Sequence, residues 1–164
     1  GAGQSCITGI KKAKGEYIFV QFSDLEYDHY RSIDMLNYAV ENDLDIVLGS
    51  RLKNKKSIYK LLLHKPAYLA TILTTFLINI FYKKKFTDII GAKLYKTNSV
   101  KKIPCNSFHT GFDFEFISRC CKRNLNIGEM SIKYKPRKNS KDKKIKFYNI
   151  FNALYEIFKV KIFE

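Results

Sequence analysis

Cysteine is sparse and carries no metal pattern: Cys6, Cys105, Cys120 and Cys121 include no CxxC spacing, which speaks against a zinc module. Adjacent Cys120 and Cys121 are too close in the chain for ordinary loop-closing disulfide geometry, so free thiols in a reducing cytosol are expected. Histidine is scarce as well. His29, His64 and His109 are scattered, and each is expected as surface or core filler. No serine, cysteine or histidine forms a credible nucleophile and base pair, which argues against covalent catalysis. There is no internal repeat, no low-complexity linker and no recognised nucleic-acid motif. The chain begins at Gly1 without an initiator Met or a signal peptide.

What the sequence does contain is apolar bulk and positive charge. Its 164 residues suit one domain able to bury a sizeable core, and 46% hydrophobic content with 15% aromatic argues against disorder. Thirty Lys and Arg against fifteen Asp and Glu leave a net charge of +15. Such a surface suits a nucleic acid, an anionic membrane face or a phosphorylated substrate.

After a short helix over Cys6 to Ala13, "GEYIFVQF" (Gly15 to Phe22) reads as a buried strand. A helix follows in "HYRSIDMLNYAVEN", with apolar Ile33, Leu36, Tyr38, Ala39 and Val40 and with Asp28 placed to cap it. "LDIVLGSR" (Leu44 to Arg51) is a second buried strand. Strand, helix and strand in about thirty-five residues signal a parallel sheet. Ligands bind such sheets at the carboxyl ends of the strands, where the acidic cluster and "GSR" should converge. "PAYLATILTTFLINIFY" (Pro66 to Tyr82) is uncharged and followed by Lys83, Lys84 and Lys85. It falls short of the roughly 20 residues that span a bilayer, leaving a core helix or a membrane-surface helix. Thr87 to Val100 reads as a turn with a short strand, Asp113 to Asn124 as a helix, and Ile127 to Arg137 as an alternating strand. Lys133 to Lys146 holds eight basic residues against Asp142. An amphipathic helix rich in Phe, Ile and Leu closes the chain.

Asp24, Glu26 and Asp28, with Asp34 beyond, end an apolar run in a basic chain. Two chemistries fit: helix capping with solvated loop carboxylates, or a divalent cation bridging to a diphosphate, with Asp24 and Glu26 as its ligands.

The segments "GQSCITGIKKAKGEYIFVQFSDLEYDHYRSIDML", "DIVLGSR", "TDIIGAKLYK", "GFDFEF" and "IGEMSIKYKPRKNSKDKKI" occur in an order and spacing that resemble the family-2 glycosyltransferases. The likeness is greatest to the branch containing dolichol-phosphate mannosyl- and glucosyltransferases, from Gly3 to about Lys161. The resemblance implies an α/β fold: a partial GT-A (Rossmann-like) domain with a mostly parallel sheet flanked by helices. The family's amino-terminal nucleotide-binding half has no counterpart in the chain. The expected organisation is a single partial domain, with the catalytic core over 1–132 and a basic loop plus amphipathic helix over 133–164. An unpaired sheet edge is expected where the missing strands would lie.

The same resemblance implies Mg²⁺ or Mn²⁺, a nucleotide-sugar donor and a polyprenyl-phosphate or related glycan or lipid acceptor. It places the enzyme peripherally on the cytoplasmic face of an anionic membrane, with no nucleic-acid partner. Asp24 matches the second Asp of the family's DxD metal motif, Glu26 a further metal-shell residue, and Phe22 replaces the first Asp. Arg51 and Arg137 match basic residues that handle the donor diphosphate and the acceptor phosphate, so Asp24, Arg51 and Arg137 are the expected catalytic set. Glu26, Asp88, Gly91, Glu115, Lys143 and Lys144 match positions expected to bind substrate. The implied reaction is hexose transfer with inversion by the full-length parent, this portion alone being inactive. Two other readings are a non-catalytic membrane-surface scaffold, consistent with Phe22, and a nucleic-acid-binding domain, consistent with the charge.

Overall fold

The structure is a computed structural model that describes residues 1–22, 26–28, 31–53, 67–107, 111–135 and 149–163. Within them four short strands form one sheet in the spatial order β1 (Tyr17–Val20), β3 (Ala92–Lys96), β2 (Ile46–Ser50), β4 (Ile127–Ser131). β3 runs antiparallel to both neighbours, and β4 runs parallel to β2. Strands β1, β2 and β4 therefore share one direction, as the strand and helix alternation requires. The reversed β3 separates β1 from β2, an arrangement that no local pattern in the chain announces.

Helices cover both faces. α1 (Ala2–Lys12), α3 (Ala67–Tyr82), α5 (Phe112–Lys122) and α6 (Asn149–Phe163) lie on one side, α2 (Arg31–Glu41) lies on the other, and α4 (Thr97–Val100) is a single turn after β3. Side chains alternate across the sheet with the period of a strand. Ile46 and Leu48 of β2 and Tyr95 of β3 enter the larger core with Ile7, Ile10, Phe116, Ile117 and Ile157, whereas Val47 and Leu94 meet Met35 and Ala39 of α2. The ring of Phe116 stands edge-on to Tyr95 at 5.3 Å and stacks on Phe112 at 5.2 Å. β2 is buried at every position because it is paired on both edges and covered on both faces.

Several expectations need correction. β1 is half-buried along its length rather than fully buried, because it pairs on one side with β3 and ends the sheet. α2 turns Met35 and Ala39 inward and leaves Ile33, Leu36 and Val40 exposed; the small Ala39 allows close approach to the sheet, which the larger stripe does not. The stretch read as turn and strand to Val100 ends instead in α4, where the Lys101 amide donates to the Thr97 carbonyl at 3.0 Å. β4 stops at Ser131, and the chain then crosses the edge of the sheet, where Tyr134 pairs with Tyr27 in an isolated antiparallel bridge. All four cysteines are free. His29, His64 and His109 lie outside the described residues.

Candidate active site

The carboxyl ends of β1, β2 and β4 and the amino end of β3 open on one edge of the sheet. At that edge β2 and β3 come unusually close. A Cβ added to Gly91 would lie 1.8 Å from the carbonyl oxygen of Gly49, so glycine at 91 is a condition of the strand approach. "TDIIG" and "LGSR" are thereby held side by side.

The chain leaving β2 turns on a hydroxyl. Ser50 Oγ accepts the amides of Leu52 and Lys53 at 3.0 and 2.9 Å and lies 2.6 Å from Thr87 Oγ1. Thr87 Oγ1 donates to Glu129 Oε2 at 3.0 Å. Since a hydroxyl carries one proton, Ser50 donates to Thr87 and Thr87 to Glu129. Glu129 Oε1 also accepts the amides of Thr87 and Asp88 at 2.8 and 3.0 Å. Burial pushes the Glu129 carboxyl above the usual range, and these donors only partly offset it.

Arg51 emerges from this turn already paired. Its Nε and Nη2 donate to Asp88 Oδ2 and Oδ1 at 2.6 and 3.0 Å, and its amide donates to Oδ2 at 3.1 Å. Asp88 is fully buried, and the Arg51 side chain is 9% exposed. Burial works to raise the Asp88 carboxyl, but the facing guanidinium and the bonds it makes hold it below the usual range. The rings of Tyr68, at the start of α3, and of Tyr134 each lie 5.4 Å from the guanidinium carbon, within cation–π range. The charge expected at "GSR" is thus present but largely neutralised and clamped.

Glu26 comes to the same place. Its buried carboxylate accepts Tyr134 Oη at 2.7 Å, and its carbonyl accepts the Lys135 amide at 2.9 Å. Tyr27 stacks obliquely on Tyr134 at 5.2 Å and lies 6.4 Å from Phe22, so an aromatic ring occupies the surroundings where the resemblance places a carboxylate. Segments 26–28, 50–53, 87–91 and 129–135 therefore meet, as the carboxyl-end argument required. Asp24, Arg137, Lys143 and Lys144 lie outside the described residues. No group of three His, Cys, Asp or Glu side chains able to hold a metal ion occurs among the described residues. Glu26, committed to Tyr134, does not by itself make a metal centre.

Glu115 has a different place from the one expected. It is fully buried on α5 and accepts Arg119 Nε and Nη2 at 3.0 and 2.8 Å, Cys105 Sγ at 2.9 Å and the Ser107 amide at 2.7 Å. That many donors on one carboxylate make it a clasp for the 105–107 chain rather than an open ligand. The residues not anticipated from the sequence are Tyr68, Tyr134, Ser50, Thr87, Glu129 and Lys93. Lys93 could have been noticed as a cation inside the apolar strand "GAKLY": it is 1% exposed, and its ammonium donates to Asp113 Oδ1 at 2.9 Å and to the carbonyls of Gly91 and Ile90 at 3.0 and 3.3 Å.

A low-salt glycan biosynthesis hexosyltransferase of Haloferax volcanii, Agl6, is 27% identical to this chain over 139 residues. The match covers 84% of this chain and 33% of that protein, so the chain spans about a third of the relative's length. The profile described as "Glycosyl transferase family 2" matches residues 1–104, well over half of the sequence. With its mixed sheet, its helices on both faces and its polar carboxyl edge, this chain belongs to glycosyl transferase family 2.

Proposed function

We propose that this chain is part of an inverting hexosyltransferase that moves a sugar from a nucleotide-sugar donor to a polyprenyl phosphate, or a related glycan or lipid acceptor, at the cytoplasmic face of a membrane. The observation that carries this reading is the meeting of Glu26, Arg51, Asp88 and Tyr134 at the carboxyl edge of a family-2 sheet. A lipid phosphate with a second pKa near about 6 is largely ionised at neutral pH, so it attacks the anomeric carbon without a strong general base. The protein's part is to align two anionic reactants and to stabilise the departing diphosphate. Arg51 is the fixed element of that arrangement, since Asp88 and two tyrosine rings leave its guanidinium one position. Arg137, Lys143 and Lys144 supply the positive charge that Asp88 removes from Arg51. Family members employ a divalent cation, and Asp24 is the side chain here that would meet it; no step is assigned to it.

Phe22 favours a second reading, a non-catalytic module that keeps the surface and lacks the chemistry. The two are separated by completing this chain with the amino-terminal half of a family member and supplying radiolabelled nucleotide hexoses with polyprenyl phosphate. Transfer that falls by about a hundredfold on Arg137→Ala, in line with the loss of one transition-state donor, supports the enzyme. Lipid binding with no label transferred from any donor supports the module.

A further inference from the structure

Helix α3 is built inside out. Its buried face holds Thr71, Thr74 and Thr75 beside Tyr68 and Ile78, while Leu69, Leu73, Phe76 and Ile80 are 45–57% exposed. Thr74 satisfies its hydroxyl by donating back to the Ala70 carbonyl at 2.8 Å, and the buried Thr75 hydroxyl has no hydrogen-bond partner among the described residues. A helix meant for water places its large apolar side chains against the core and its hydroxyls outward. The opposite choice here requires an apolar environment outside. α6 repeats the pattern: Ala153, Ile157 and Val160 face the core, and Phe151, Tyr155, Phe158 and Ile162 are 40–69% exposed. Both outer stripes follow the same spacing of four, three and four residues, and the helices touch where Phe81 meets Phe158 edge-on at 5.3 Å.

Charge near the ends of these stripes is mainly positive, although Glu164 directly follows α6. Lys83, Lys84 and Lys85 follow α3, and Lys159 and Lys161 stand on α6 against the single acid Glu156. A cleft of about 280 Å³ between the helix ends is lined by Lys83, Lys122 and Lys161 together with Phe81 and Tyr82. Lys161 lies along those rings, its ammonium 5.9 and 5.3 Å from their centroids, and donates to the Phe81 carbonyl at 3.0 Å. This is the posture of a lysine whose stem lies on apolar surface and whose head is held near an interface. No described helix is long and apolar enough to cross a membrane, and α3 at 16 residues reaches only roughly 24 Å, short of a bilayer's ~30 Å.

We infer that the outer stripes of α3 and α6 seat this protein in the plane of an anionic lipid bilayer, with the Lys83, Lys122 and Lys161 cleft receiving a lipid phosphate. The inference deepens the proposed function and rests on it in one respect, the membrane as the place of reaction. It also gives α3 a second duty. Tyr68 at its first turn packs on Arg51, and Leu69 opens the apolar stripe one residue later, so a helix seated in the bilayer plane holds the candidate site at the level of the lipid head groups.

The chain has no tryptophan, so single reporters can be read directly. Phe76→Trp and Phe158→Trp are placed on the seat and Ile33→Trp on the exposed stripe of α2, and each protein is titrated with phosphatidylcholine vesicles with and without phosphatidylserine. The expected result is a shift to shorter emission wavelength at positions 76 and 158 with the phosphatidylserine vesicles, and none at position 33. Changing Lys83, Lys122 and Lys161 together to Gln should weaken partitioning about a hundredfold, from roughly 1 kcal/mol per lysine at an anionic surface. No shift at 76 and 158, an equal shift at 33, or partitioning indifferent to the lysines would overturn the seat. A concentration-dependent shift without vesicles would also overturn it, because the stripes would then be covered by a second copy. Vesicle binding of the expected kind with no sugar transfer by the completed enzyme would leave the seat standing and remove the transfer reading.

Discussion

Replacing Asp88 with Asn tests the clamp on which the candidate site is built. The carboxylate is fully buried, meets Arg51 through two side-chain bonds and one amide, and accepts the Ile90 amide at 3.0 Å. The Arg51 amide is accepted by Oδ2 and the Ile90 amide by Oδ1, so the single oxygen of Asn keeps one of them, and its amide nitrogen displaces the other and leaves the buried guanidinium without a countercharge. Removing one partner of such a pair costs about 3–5 kcal/mol, which for a chain of this size lowers Tm by roughly 6–20 °C. Arg51→Met alone leaves the carboxylate unpaired and should cost a similar amount. The double variant, with neither charge, should cost less than the two singles together by about 2–3 kcal/mol. Urea unfolding followed by circular dichroism measures all four corners of the cycle. A cost below about 1 kcal/mol for Asp88→Asn, or strictly additive singles, would mean that solvent or another group compensates Arg51, and the clamp would not hold the site.

Other consequences can be checked alongside it. Gly91→Ala should destabilise by more than the ~1–3 kcal/mol of ordinary overpacking, because the added methyl meets backbone at 1.8 Å, whereas Gly9→Ala, with nothing within 4 Å on α1, should stabilise by about 0.5–1 kcal/mol; equal effects in thermal melts would remove the close approach. Burial works to raise the Glu115 carboxyl, yet donors from Cys105, Ser107, Arg119 and Asn106 hold it below its ordinary value, as Arg51 does for Asp88. Both groups therefore contribute stability that is present above about pH 4 and is lost as pH falls through their folded values; Glu115→Gln should flatten that acid limb of the urea midpoint, and an unchanged limb would contradict the assignment. Tyr134→Phe removes the bond to the buried Glu26 carboxylate and should cost about 1.5–3 kcal/mol, measured by the same unfolding assay, with a cost near zero placing Glu26 in solvent instead.

The parts of this architecture that were legible in the chain are those that local pattern determines. "LDIVLGSR" could only be a covered strand, and the uncharged stretch ending at Tyr82 could only be a helix. The place of the site followed from strand direction alone, and Glu26 and Arg51 do meet there. What could not be read is non-local. Nothing near Ala92–Lys96 says that this strand will reverse and part β1 from β2, and it is that insertion which leaves β1 half-covered at the end of the sheet. Periodicity reveals a stripe on a helix but not which side of it turns inward: of the expected residues Ala39 packs on the sheet beside Met35, which the stripe omitted, while Ile33, Leu36 and Val40 stay exposed. In α3 the threonines turned inward against every expectation from solubility. Partners also escaped: Asp88 and Glu115 were both expected to bind substrate, and nothing in the local sequence announces that Asp88 pairs with Arg51, 37 residues away, or that Glu115 accepts donors from 105–107 and from Arg119.

In the proposed function the carboxyl edge of this sheet receives a diphosphate. Titrating the ¹⁵N-labelled chain with inorganic pyrophosphate and following amide resonances tests it directly. The predicted outcome is saturable shifts at Leu52, Lys53 and Lys135, beside Arg51 and Glu26, with Asp45, Ser99 and Asn126 at the opposite edge unmoved. Shifts confined to that opposite edge, or none at Leu52, Lys53 and Lys135 while other surface lysines respond, would contradict it.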